Sequence, residues 1–124
     1  MMNGKKNWYI VDGYRPPLQP DGTVSYEGHE CFMILNCNAQ EAHVFMDVYF
    51  EDADPVEGIP LTVPPKRIKA FRSDDHEILK NLNLAVNRQY SIRFRSDLEI
   101  VVQYGRCDVA QANLAYMALM GYSE

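Results

Sequence analysis

Gln89-Tyr90-Ser91-Ile92-Arg93-Phe94-Arg95 alternates without a break, placing Tyr90, Ile92 and Phe94 on one side of an extended chain and Ser91, Arg93 and Arg95 on the other. Period two marks a strand with one buried and one wet face. Working outward, strands are expected at Trp8 to Val11, Pro60 to Val63, Arg67 to Phe71 and Leu98 to Tyr104. Ile100-Val101-Val102 is apolar at every position and reads as a central strand covered on both faces. Pro55, Gly58, Pro60, Pro64 and Pro65 interrupt the middle, as edge strands and tight turns do.

Residues 29 to 50 read as a hairpin around the connection Asn38-Ala39-Gln40-Glu41, a register in which Cys31 faces Val48, Met33 faces Met46, Leu35 faces Val44 and Cys37 faces Ala42. That face is wholly apolar. The other pairs Glu30 with Tyr49, Phe32 with Asp47, Ile34 with Phe45 and Asn36 with His43, a mixture suited to a rim, a groove or a subunit contact. Residues 13 to 28 and 73 to 88 read as long surface loops. Short strands, frequent turns and little helix predict an all-β fold, an antiparallel β-sandwich. Residues 1–124 are expected to form one domain, with 1–6 as a disordered N-terminus.

Composition narrows the function classes. No segment reaches the roughly 18 consecutive apolar residues of a membrane span, so a cytoplasmic protein is expected. The formal charge of -5 disfavours coating nucleic acid. Cys31, Cys37 and Cys107 form no Cys-x-x-Cys pair and read as buried free thiols.

The residues spell out no catalytic constellation. His29 and Glu30, as consecutive strand residues, point to opposite faces, so Glu30 is expected to pair with a cation, Arg67 or Arg106. His29 and His43 lie at opposite ends of the expected hairpin, and His76 sits in the acidic Asp74-Asp75-His76-Glu77; no metal site, cofactor or nucleophile–base pair is predicted. Arg106-Cys107-Asp108-Val109-Ala110-Gln111 is the most suggestive polar stretch: either an ion pair with a cap, or a pocket for a small hydroxylated or anionic ligand. Trp8, Tyr14, Tyr26, Tyr116 and Tyr122 are read as exposed aromatics able to stack on sugars or anchor an interface.

One ordered series of short strings runs through the chain: Trp8, Gly13-Tyr14, Pro16-Pro17, His29-Glu30, Ile34-Leu35-Asn36, Ala42-His43-Val44, Leu61-Thr62-Val63-Pro64, and Val101-Val102-Gln103 followed by Arg106, Asp108 and Gln111. From Trp8 to about Tyr122 the series resembles the sensory rhodopsin transducers, a family of small soluble proteins. The resemblance implies an antiparallel β-sandwich, a planar fourfold homotetramer, a microbial sensory rhodopsin as partner of one member, and a likeness to carbohydrate-binding modules; DNA binding has also been proposed for the family. Glu99, where proline is expected, and the 73 to 88 loop depart from the pattern. For Val109 to Met120, intrinsic preference favours helix, whereas the resemblance implies a short helical turn and a final strand, which is the expectation adopted.

The leading expectation is thus a non-enzymatic signalling adaptor, a homotetramer whose partner is another protein, such as a membrane receptor, with Phe32, Ile34, Phe45 and His43 as candidate interface. The alternative is a small-ligand or carbohydrate-binding module using His29, Glu30, Arg67, Gln103, Arg106, Asp108 and Gln111. Weak DNA binding through Lys66, Arg67, Lys69 and Arg72 ranks last among the binding readings.

Overall fold

The computed structural model describes residues 3–17, 27–80, 82–109 and 115–124. Eight strands follow in chain order: β1 (Lys5–Tyr14), β2 (His29–Asn36), β3 (Ala42–Phe50), β4 (Val56–Val63), β5 (Arg67–Arg72), β6 (Gln89–Asp108), β7 (Ala115–Met120) and β8 (Tyr122–Ser123). Every pairing is antiparallel, and no helix occurs among the described residues. The fold is the expected all-β sandwich. β1 begins at Lys5, which pairs with Ile100 of β6, so Lys5 and Lys6 belong to a strand rather than to the expected disordered N-terminus.

β6 organises everything else. Its first half lies between β3 and β1 in a first sheet ordered β4-β3-β6-β1-β8; its second half lies between β2 and β7 in a second sheet ordered β5-β2-β6-β7. One 20-residue strand therefore changes sheet near Ser96 to Ile100, where the β1 register also slips; such corners are made by strands that bend from one layer into the other. The alternation at Gln89 to Arg95 holds, with Tyr90, Ile92 and Phe94 buried.

The hairpin over 29 to 50 does not form. β2 pairs with β5 and β6, while β3 pairs with β4 and β6, so the Asn38 to Glu41 connection crosses between sheets. β3 does turn Ala42, Val44, Met46 and Val48 inward as expected, but β2 turns the opposite way and buries Glu30, Phe32, Ile34 and Asn36. Phe32 sits at the centre of a ring cluster with Phe71, Phe94 and Tyr104, its centroid distances 5.4, 5.9 and 5.6 Å. Leu79, Leu82 and Leu84 plug the core from the 73 to 88 segment, which is thus more than a surface loop.

Three polar devices fix this arrangement. Asn36 Nδ2 donates to the carbonyls of Gln40, Val63 and Pro64, and its Oδ1 accepts from Asn38 N and Nδ2 at 2.9 Å. Asn38 Nδ2 in turn donates to the Glu99 carbonyl at the β6 bend. Buried Asp47 takes a two-pronged contact from Arg95 at 2.8 and 2.9 Å and accepts from Gly58 N, tying β3, β6 and β4 together. Gly58 has φ of 75°, a left-handed conformation that glycine adopts without strain. Trp8 Nε1 donates to the Lys5 and Ile100 carbonyls, both at 3.0 Å, so this ring is core rather than an exposed stacking surface.

Candidate functional site

The cross-strand register His29↔Cys107 and Glu30↔Arg106 brings four of the expected ligand-binding residues, His29, Glu30, Arg106 and Asp108, to one end of the sandwich. Arg67 is opposite Asn36 at the far end of β2, six residues or about 20 Å away, and is exposed. Gln103 points out from the second sheet, and Gln111 lies outside the described residues.

At the clustered end, Glu30 is fully buried. Its Oε1 accepts from the Tyr90 hydroxyl, and its Oε2 accepts from the Tyr104 hydroxyl at 2.6 Å and Tyr14 N at 3.2 Å. Tyr90 lies in the half of β6 that belongs to the first sheet and Tyr104 in the half that belongs to the second, so one carboxylate latches both sheets and β1. Burial, then the neighbouring Glu30 charge and its hydrogen bond, push both phenols well above their ordinary range, so they stay protonated donors. The expected pairing of Glu30 with Arg67 or Arg106 is corrected: the largely buried guanidinium of Arg106 lies over the Tyr14 ring, 5.4 Å from its centroid, with Asp12 Oδ2 3.8 Å from Nη2. Two phenols and an amide satisfy the carboxylate where a guanidinium would have carried a second buried charge. Glu30 therefore serves as a structural latch, closed to any incoming ligand.

The basic run is also divided. Arg72 is held by Glu27 at 3.0 Å and Asp74 at 2.9 Å; burial would lower its pKa, and the two carboxylates outweigh that and raise it. Arg67 and Lys69 fall on the side of β5 opposite to Arg72, and Lys66 sits in the preceding turn. No group of three or more His, Cys, Asp or Glu that could hold a metal occurs among the described residues. The candidate interface is corrected too: Phe32 and Ile34 are core, leaving Phe45, 43% exposed under Arg95, and His43 on the outer face of the first sheet.

The face that β2 does expose is the one read as inward. Alternation puts Cys31, Met33 and Leu35 outward, and the registers extend them into rows across the second sheet: Ile68–Leu35–Val101, Ala70–Met33–Gln103–Met120, and Arg72–Cys31–Gly105–Ala118. Leu35, Ile68 and Met120 are 41, 62 and 54% exposed. Tyr116 lies across Gly105, where a Cβ would stand 2.1 Å from its hydroxyl, and its own ring is exposed. Among the described residues nothing covers this apolar, methionine-bearing sheet face. β2 is apolar on both sides, a doubling that is visible in the sequence.

Fold and face together define an all-antiparallel sandwich whose second sheet, among the described residues, has an uncovered and largely apolar outer face. The chain belongs to the Anabaena sensory rhodopsin transducer family, whose sequence profile matches residues 3–123. Among solved structures, the crystal structure of Thermotoga maritima 1070 superposes with a TM-score of 0.82 at 29% identity, covering 99% of this chain and 97% of that one. The Anabaena sensory rhodopsin transducer superposes with a TM-score of 0.69 at 31% identity, covering 84% of this chain and 90% of that one. Comparison with curated protein sequences finds no match.

Proposed function

We propose that this chain is a non-enzymatic cytoplasmic signalling adaptor that works as a homotetramer and passes a signal by binding a protein partner, a membrane receptor of the sensory rhodopsin type. The observation that carries this reading is the outer face of the second sheet. Contiguous apolar surface of this kind on a small domain marks an interaction site, and methionine-bearing faces adapt to partner surfaces. The buried Glu30 latch supports a binding rather than a chemical role, since its carboxylate oxygens are already engaged. Family membership supports the transducer role. No helix of the described residues is long and apolar enough to cross a membrane, consistent with a partner that supplies the membrane span.

Native mass spectrometry tests the assembly: a species of four 14.3 kDa chains is expected. Co-elution with a microbial sensory rhodopsin in lipid nanodiscs tests the partner. Binding by the natural chain and its loss in Gln103→Arg, which sets a charge in the middle of the face, is the expected result. Equal binding by both would remove this face from the reading.

A further inference from the structure

We infer that the wedge between the free edges of β4 and β5 is a binding site for a small organic monocarboxylate with an apolar body, held by Lys69. The site is separate from the sheet face and the assembly proposed above, and gives the adaptor a small-molecule input. β4 ends at Val63 and β5 begins at Arg67, so the turn Pro64-Pro65-Lys66 brings the edge of the first sheet against the edge of the second. Beyond that turn a cavity of about 520 Å³ lies between the two edges, lined by β4, by Lys69 and by Glu77, Ile78 and Lys80 of the segment after β5. Small-molecule sites occupy about 300–1,000 Å³ and are mostly apolar, with a few polar groups that fix orientation. Here Ile59, Leu61 and Ile78, all packed into or against the core, form the apolar part.

Lys69 selects the ligand. Alternation along β5 sets it on the same side as buried Phe71, and its cross-strand partner is the core residue Ile34. Its side chain therefore starts on the inner face of the second sheet, half-buried, and lines the cavity. Among the described residues its ammonium has no hydrogen bond or ion pair. A cation beside apolar walls with no counter-ion suits an incoming anion, because a charge-assisted hydrogen bond is stronger where water is partly excluded. Glu57 and Glu77 balance Lys69 and Lys80 in the lining, and both glutamates are exposed. That balance suits a ligand with one negative charge over a phosphate dianion, which the two glutamates would repel more strongly. An inward-pointing lysine on an edge strand also guards a sheet against unwanted strand pairing. That task needs no cavity, whereas here the unpaired charge comes with one.

Calorimetric titration of the full chain with hexanoate, acetate, hexan-1-ol and leucine tests the site. Lys69→Met and Lys69→Gln remove the charge, Lys80→Met serves as a control at the exposed rim, and circular dichroism checks that each variant keeps the fold. Hexanoate is expected to bind the natural chain and Lys80→Met alike. Acetate, which lacks the apolar body, and hexan-1-ol, which lacks the charge, should bind about tenfold more weakly or worse, and both Lys69 variants should lose hexanoate affinity by about tenfold or more. No saturable binding of hexanoate, or equal binding by the natural chain and the Lys69 variants, would overturn the inference. An equal loss in Lys80→Met would show diffuse charge attraction and overturn it. Leucine binding more tightly than hexanoate would show a site for zwitterions, and Lys69 variants that self-associate while still binding hexanoate would show an edge guard; either result overturns it.

Discussion

Glu30 and Arg106 are direct cross-strand neighbours on β2 and β6 and share the inner face of the sheet, yet the carboxylate is held by two tyrosine hydroxyls while the guanidinium lies over the Tyr14 ring beside Asp12. Leaving them unpaired gives each a separate task. Glu30 collects two tyrosine hydroxyls from the two halves of one strand, while Arg106 closes the sandwich end against Tyr14 and Asp12.

Removing the latch should cost more than removing either of its donors. Glu30→Ala strands two buried phenols and an amide and should lower the unfolding free energy by about 3–5 kcal/mol. Tyr104→Phe deletes one hydrogen bond and should cost about 1–2 kcal/mol. Urea unfolding measures both, and similar midpoints for the two variants would show that Glu30 is not the hub.

Asp47 makes stability fall in acid. Hydrogen bonds from Arg95 hold its carboxyl below the ordinary 3.8 despite burial. A depressed native pKa means that the folded state binds the proton less readily than the unfolded chain. Its stabilisation is therefore complete above about pH 4 and is lost as pH falls through the native value. Asp47→Asn should cost about 1–3 kcal/mol near neutrality, with the gap to the natural chain narrowing below about pH 4. A gap constant across the acid range would contradict the assignment.

Asn36 is held as an amide by its donors. Its Nδ2 faces three carbonyls, so Asn36→Asp would bring a carboxylate against acceptors inside the core. It should destabilise by about 3 kcal/mol or more at neutral pH and recover partly in acid, where the new side chain is protonated. Thermal unfolding across pH reads this directly, and a loss independent of pH would point to packing alone.

Trp8 anchors the start of β1 to the bend in β6. Trp8→Phe keeps most of the ring but leaves the Lys5 and Ile100 carbonyls without their shared donor, which should cost about 1–2 kcal/mol. Hydrogen exchange should quicken in β1 before β3; uniform quickening would mean the contact is not local.

Strand positions and fold class were legible because the wet faces of β6 and β3 give clean alternation. The orientation of β2 was not legible. Cys31, Met33 and Leu35 are as apolar as Phe32 and Ile34, so the pattern could not separate a core face from an uncovered one. The Asn38 to Glu41 connection also suits either a hairpin or a crossing between sheets; the side-chain hydrogen bonds of Asn36 and Asn38 decide for the crossing. In β7, alanine, leucine and methionine favour helix intrinsically, and the open edge of β6 overrides that preference. The clustered end was half visible: His29, Glu30, Arg106 and Asp108 lie at one end of the sandwich, but Tyr90 and Tyr104 looked like ordinary core aromatics and their hydroxyls gave no sign in the sequence.

A sandwich built from two separate layers can shear, because only side chains hold the layers together. Here a single covalent backbone runs through both as β6. Sliding one sheet over the other would have to bend that backbone between Ser96 and Ile100, so the two layers resist shear more than layers held by side-chain contacts alone.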